Sequence, residues 1–236
     1  MRRWAELVGA ACLLTRLPVG GWTAVHPPQA ACLWAYPVVG AVVGLAGAAV
    51  LTAALAVGLS QPLATLWAIA ATVVLTGGLH EDGLADTADG LGGGRDAAHK
   101  LAIMRDSRIG SYGTLALAGS LAIRGVAIAT SQHPVQMIVL AAVLGRGAML
   151  INLVLFKPAR ADGIAATLRG PAQFSAYAGL AITGAAVLWS LTAILAAGTA
   201  ALVMGVLASR QVGGYTGDTL GACEQAAECA ALSVAG

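Results

Sequence analysis

The sequence predicts an all-α protein: a polytopic transmembrane bundle of about six spans, five to seven by the bilayer-length criterion. It forms a single domain over residues 1–236, with cytoplasmic polar loops making an active site. Three observations predict this. Apolar residues make up 58% of the 236 residues and charged residues only 10%, and mean hydropathy is +0.80, far more apolar than a soluble domain. Several runs reach the roughly 20 apolar residues that a bilayer-crossing helix needs. The basic residues then fall on one side of the topology those runs define.

The N-terminal segment Trp4 to Leu14 is apolar but ends in Thr15-Arg16-Leu17-Pro18. It is too short to span and lacks a convincing small-residue cleavage site, so it reads as an interfacial helix rather than a signal peptide. Spans are expected at Tyr36 to Leu59, Pro62 to Leu79, Gly113 to Ser131 and Val135 to Phe156. The run Phe174 to Ser209 would extend roughly 54 Å as one helix, too long for a single crossing, so it is divided near Ala197-Gly198. With six spans, the N-terminus, the 80–112 loop, the 157–173 loop and the C-terminus share one side.

Arg2, Arg3, Arg16, Arg95, Lys100, Arg105, Arg108, Lys157, Arg160, Arg169 and Arg210 all fall on that side, and Arg124 and Arg146 lie within spans. The loops around Gln61 and Gln132-His133 carry none, so the shared side is expected to be cytoplasmic. Every Asp and Glu is expected outside the spans, which argues against a transporter, whose relay carboxylates lie within the membrane. A net charge of +2 without a basic patch interleaved with aromatics excludes nucleic acid as a partner. Cys12, Cys32, Cys223 and Cys229 form no Cys-x-x-Cys pair and have no histidine at ligand spacing, so no zinc or redox site is expected.

Chemistry concentrates in three glycine-flanked strings. Gly77 to Gly90 places Glu81, Asp82, Asp86 and Asp89, four of the eleven carboxylates, within nine residues. Continued as a helix, Asp82, Asp86 and Asp89 stand at i, i+4 and i+7 on one face, and Glu81 points elsewhere. Three carboxylates on one face repel unless a hard cation offsets them, and oxygen-only ligation favours Mg²⁺ or Mn²⁺. Glycines 83, 90, 92, 93 and 94 would let the backbone approach a ligand or turn sharply. Together these features suggest a phosphate site.

The second string, Ile103 to Gly113, presents Arg105 and Arg108 at i, i+3. Guanidinium forks match phosphate oxygens, so the two would clamp a diphosphate, with Asp106 orienting an arginine or adding a metal ligand. Arg146, between Gly145 and Gly147, lies deep in its span and is expected to reach a polar cavity. Arg124 admits the same reading or a structural one. The third string, Gly213 to Gly221, surrounds Asp218 with glycines and Thr216, and closes the site from the far end of the sequence.

Thr15-Arg16-Leu17-Pro18-Val19, Tyr36-Pro37-Val38-Val39-Gly40, Gly77 to Gly90, Ile103 to Gly113, Arg146 and Gly213 to Ala222 together resemble the cobalamin synthase family, nearly end to end. The resemblance implies a Mg²⁺-dependent inner-membrane transferase that joins adenosylcobinamide-GDP to α-ribazole or its 5′-phosphate and releases GMP. It departs at Glu81, where some relatives carry Leu, and in the short Ala-rich tail after Glu228, so it assigns neither a metal-binding role to Glu81 nor a catalytic one to the tail. Attack of a ribose hydroxyl on a diphosphate needs metal, arginines and positioning rather than a protein nucleophile.

The resulting expectation is that Asp82, Asp86 and Asp89 hold Mg²⁺. Arg105, Arg108 and Arg146 neutralise the departing GMP, with Gly110, Thr216 and Asp218 at the substrate. His80 or a free carboxylate accepts the hydroxyl proton. Partners are the two substrates and the lipid bilayer, with room for association with other cobalamin-assembly enzymes or a second copy. Asp86-Thr87-Ala88-Asp89-Gly90 also matches the opening of the CDP-alcohol phosphotransferase signature, whose remainder is absent. A lipid-directed enzyme of that type, or a transporter, is the alternative.

Overall fold

The computed structural model describes residues 1–160, 167–168 and 173–235, and its regular elements are helices. Among the described residues the one extended pairing is a bridge between Pro158 and Tyr215. Arg169, counted above among the basic residues of the 157–173 loop, lies outside the described residues.

Helix α1 (Arg2–Leu14) is anchored by Glu6, whose carboxylate pairs with Arg2 at 3.2 Å and Arg3 at 3.0 Å and accepts Trp34 Nε1 at 2.8 Å. Its Trp4 stacks on Trp22, as an aromatic belt residue would. A 3₁₀ segment, Gln29–Ala35, leads into α2 (Tyr36–Ala56), followed by α3 (Gln61–Thr76), α4 (Leu79–Gly93), α5 (Ala97–Ile103), α6 (Ser111–Thr130) and α7 (Pro134–Leu155). After the partly described 157–173 segment come α8 (Gln173–Gly184), extended by the 3₁₀ turn Ala185–Leu188, then α9 (Leu191–Val212) and α10 (Gly217–Val234).

Four stretches are long and apolar enough to cross a membrane: Gln29–Ala56, Ser111–Thr130, Pro134–Leu155 and Leu191–Val212. A fifth results if α3 and α4, bent by 88° from one another, count as one, and Phe174–Leu188 is a shorter apolar stretch. The chain is a membrane protein with α7 at the centre of its bundle: 78% of the apolar window of α7 is buried against 22% for α6. Large side chains such as Leu66, Trp67, Leu115, Val126 and Leu195 are exposed on the periphery, where lipid would meet them. Close packing of α2 on α7 follows from Gly40 and Gly44 at GxxxG spacing, since a Cβ on Gly44 would lie 2.7 Å from Val139 Cα.

Two expectations are corrected. The long apolar run from Phe174 breaks at Trp189-Ser190, not at Ala197-Gly198, because Ser190 caps α9 by accepting Ala193 N–H at 3.2 Å. The C-terminus, expected on the arginine-rich side, lies at the opposite end, because α10 runs the length of the bundle. Asp218 packs on α4 at one end, while at the other the Val234 carbonyl accepts Thr192 Oγ1 at 3.3 Å and Val234 shares a hollow with Gln132, His133 and Ser190.

Candidate active site

Gly77 and Gly78, with φ of +69° and +68°, reverse the chain after α3 in a conformation that side-chain-bearing residues resist. The acidic helix α4 that follows is the helix the i, i+4, i+7 spacing predicts. It lies in backbone contact with α10, since a Cβ on Gly83 would sit 2.8 Å from the Asp218 carbonyl oxygen and 3.1 Å from Gly221 Cα. Asp82 and Asp86 on α4 thereby share a neighbourhood with Asp218. The Asp86 carboxyl is pushed up to about 6, first by burial and then by the charges of Asp82, Asp218 and Asp89. Arg160 and Arg105 offset part of the charge on Asp218, and Arg160 is fixed there by donating to the Leu101 carbonyl at 2.9 Å.

The start of α10 is a capping box. Thr216 Oγ1 accepts Thr219 N–H at 3.2 Å, and Thr219 Oγ1 accepts Thr216 N–H at 2.8 Å. Thr216 Oγ1 also donates to Asp218 Oδ2 at 3.2 Å, so Thr216 orients the carboxylate.

Asp89 is placed differently from Asp82 and Asp86. Its two oxygens accept backbone N–H groups from Gly110 at 2.7 Å and Gly113 at 2.9 Å, which ties α4 to the start of α6 and commits the Gly110 amide. Asp106 grips Arg108 through both carboxylate oxygens, at 2.6 Å to Nη2 and 3.0 Å to Nε, and these bonds hold its carboxyl down at about 2. The pair is solvent-facing, with the Arg108 side chain 86% exposed. Of the two roles open to Asp106, the geometry matches orientation of an arginine.

Arg146 is 3% exposed and bound within the bundle. It pairs with Glu224, with Glu228 at 2.6 Å, and approaches His80 Nδ1 at 3.4 Å. Arg124 reaches Glu228 at 2.9 Å and Glu81 at 3.0 Å. Gln225 joins Glu81 at 3.2 Å, Glu224 at 3.0 Å and Ser120 at 2.7 Å. Glu81, Glu224 and Glu228 therefore lie inside the bundle, contrary to the expectation that every carboxylate lies outside the spans. Carboxylates buried among the spans remove that ground for excluding a transporter. The glycines of α4 also act otherwise than expected: Gly83 admits α10, while Gly90 and Gly92 admit Met104 and the Tyr112 ring.

The sequence reading missed Arg160, Glu224, Glu228 and Gln225. The spacing of Glu224 and Glu228 at i, i+4 was an available signal for one helix face, but nothing local marks Arg160 as a neighbour of Asp218.

Among the described residues no three His, Cys, Asp or Glu side chains stand together as a ready metal cage. Mg²⁺ does not require one, because it keeps several waters and binds through one or two carboxylates plus substrate phosphates. Asp82 and Asp86, crowded by like charge, fit such an ion.

The family described as cobalamin-5-phosphate synthase matches residues 6–236. A protein of Bradyrhizobium diazoefficiens named adenosylcobinamide-GDP ribazoletransferase is 44% identical, over 98% of this chain and 93% of its own length. Proteins of the same name from Mesorhizobium japonicum and Azorhizobium caulinodans are 42% and 40% identical, over 96% and 95% of this chain and 91% and 93% of their own lengths. No solved structure matches the chain.

Proposed function

The chain belongs to the cobalamin-5-phosphate synthase family, and we infer that it is itself an adenosylcobinamide-GDP ribazoletransferase. It joins the adenosylcobinamide phosphate moiety of the donor to α-ribazole or its 5′-phosphate and releases GMP. The observation that carries the mechanism is the contact of α4 with α10, which gathers Asp82, Asp86 and Asp218 beside Arg105 and Arg160.

Asp82 and Asp86 are the residues that would hold Mg²⁺. Bound there, the ion supplies charge neutralisation on the phosphate oxygens. Asp218, oriented by Thr216, accepts the proton of the attacking ribose hydroxyl. The new bond forms between that oxygen and the phosphorus on the cobinamide side, and the bond to the GMP oxygen breaks. Arg105, Arg108 and Arg160 face the departing phosphate, where guanidinium forks offset its charge. Asp89 fixes the loop that carries Arg105 and Arg108 relative to α4. Arg146, bound by Glu224 and Glu228, positions His80 and α10 rather than contacting the diphosphate. The arginine-rich end is cytoplasmic and the membrane is the inner one, in keeping with the positive-inside rule.

Beyond the short match at Asp86 to Gly90, no observation favours a CDP-alcohol substrate. The deciding assay measures GMP release from adenosylcobinamide-GDP and α-ribazole by purified protein in lipid. Release is expected with Mg²⁺, and its loss is expected with chelator or in Asp86→Ala. A well-folded wild-type protein that releases no GMP would refute the assignment.

A further inference from the structure

A cavity of about 180 Å³ lies between α1, α2, α4, α7 and α10. Leu14, Tyr36, Met149 and Leu220 give it an apolar wall, and Asp82 and Asp218 line it as well. Two of its lining residues carry unanswered polarity: Tyr36 Oη and His80 Nε2 have no hydrogen-bond partner, although Tyr36 is fully buried and His80 is 1% exposed. Buried polar atoms are ordinarily paired, and each exception needs an explanation. A buried hydroxyl and a buried imidazole nitrogen without partners, on two residues that line one cavity, are what a ligand with its own nitrogen or hydroxyl groups would satisfy after a small side-chain shift.

Size and charge narrow the ligand. Pockets that hold a whole drug-sized molecule span roughly 300–1,000 Å³, so this one admits a ring system and neither a guanosine diphosphate nor a corrinoid. Without a metal, the carboxylates of Asp82 and Asp218 repel a phosphate, and the wall of Leu14, Tyr36, Met149 and Leu220 favours an uncharged apolar part. We propose that the cavity is the subsite for the base of the acceptor nucleoside: it takes a flat, nitrogen-containing aromatic ring among Leu14, Tyr36, Met149 and Leu220. The attached ribose then sits at Asp218, where its hydroxyl is activated. This deepens the ribazoletransferase reading and rests on it.

Two variants and two probes test it. Leu220→Trp fills the cavity, whereas Tyr36→Phe removes only an unpartnered hydroxyl and leaves the ring packing in place. Free benzimidazole binding to the full detergent-purified chain, measured with chelator and without donor, reads the cavity independently of turnover. Wild type is expected to bind benzimidazole and Leu220→Trp to lose that binding. Leu220→Trp is also expected to raise the KM for α-ribazole at least about tenfold while leaving the KM for adenosylcobinamide-GDP within about twofold, the pattern of a lost ground-state contact to one substrate. Tyr36→Phe should weaken benzimidazole several-fold with an unchanged unfolding midpoint, and it decides the matter if Leu220→Trp fails to fold. Absence of benzimidazole binding by wild type, or a rise in the donor KM alone, overturns the subsite. GMP release with an unaltered acceptor KM overturns the subsite while the transferase stands; benzimidazole binding without any GMP release supports the aromatic site and removes the transferase.

Discussion

The interior of the bundle and its arginine-rich end use the same residue types to opposite effect. Inside, Glu81, Glu224 and Glu228 each reach a guanidinium of Arg124 or Arg146. At the end, Asp82, Asp86 and Asp218 crowd one another, and the carboxyl of Asp86 rises to about 6. Asp89 stands between the two cases: it belongs to the same helix as Asp86, but its charge is answered by two backbone amides. The buried carboxylates each have a cationic partner, whereas at the arginine-rich end like charges stand together, the arrangement that the proposed metal would complete.

The largest expected effect strikes the interior. Arg146→Met leaves Glu224 and Glu228 buried beside a lost partner and should destabilise by roughly 3–5 kcal/mol, read as a lower unfolding midpoint in detergent with or without Mg²⁺. An unchanged midpoint would dissolve the contrast. Asp89→Asn keeps the shape but turns one of the two accepting oxygens into a donor that faces a backbone N–H, at an expected cost of about 1–3 kcal/mol. Faster hydrogen exchange at Gly110 and Gly113 would register it.

At the ligand end the expected signature is a pH dependence. The folded-state pKa of Asp86 is raised from 3.8 to about 6, so without metal its contribution to stability is present below 3.8 and is lost as pH rises through about 6. On the proposed reading, Mg²⁺ would compete with that proton. Its apparent affinity should fall as pH drops through 6, by up to about tenfold per unit, and titrations of the thermal midpoint against Mg²⁺ at several pH values would measure this. Asp86→Asn should flatten the dependence. The smallest effect is reserved for Arg108→Ala: its partner Asp106 is solvent-facing, so the unfolding midpoint should not move even though GMP release slows.

The acidic helix was legible because Asp82, Asp86 and Asp89 share one period and Gly77-Gly78 precede them. The apolar spans were legible by length. The break in the Phe174 run was misplaced because Gly198 looks like a breaker, yet a side chain there would meet nothing, whereas the Ser190 cap ends the preceding segment. Helix α10 was missed as a full-length member of the bundle because Glu224 and Glu228 depress its hydropathy. Their partners Arg146 and Arg124 lie 82 and 104 residues from Glu228 in the chain. Asp89 shared the spacing of a metal ligand, and only the loop 21 to 24 residues further on reveals its different partners.

The dependence of Arg124 and Arg146 on α10 also bears on biogenesis. Ribosomal synthesis delivers both arginines to the insertion machinery before Glu224 and Glu228 have been made; Arg124 already has Glu81 to pair with, but Arg146 carries its charge in the interior without a carboxylate until α10 docks. A chain interrupted before Glu224 would keep that defect, and membrane proteases and insertases would meet it as an unfinished product even though every strongly apolar span had already been inserted.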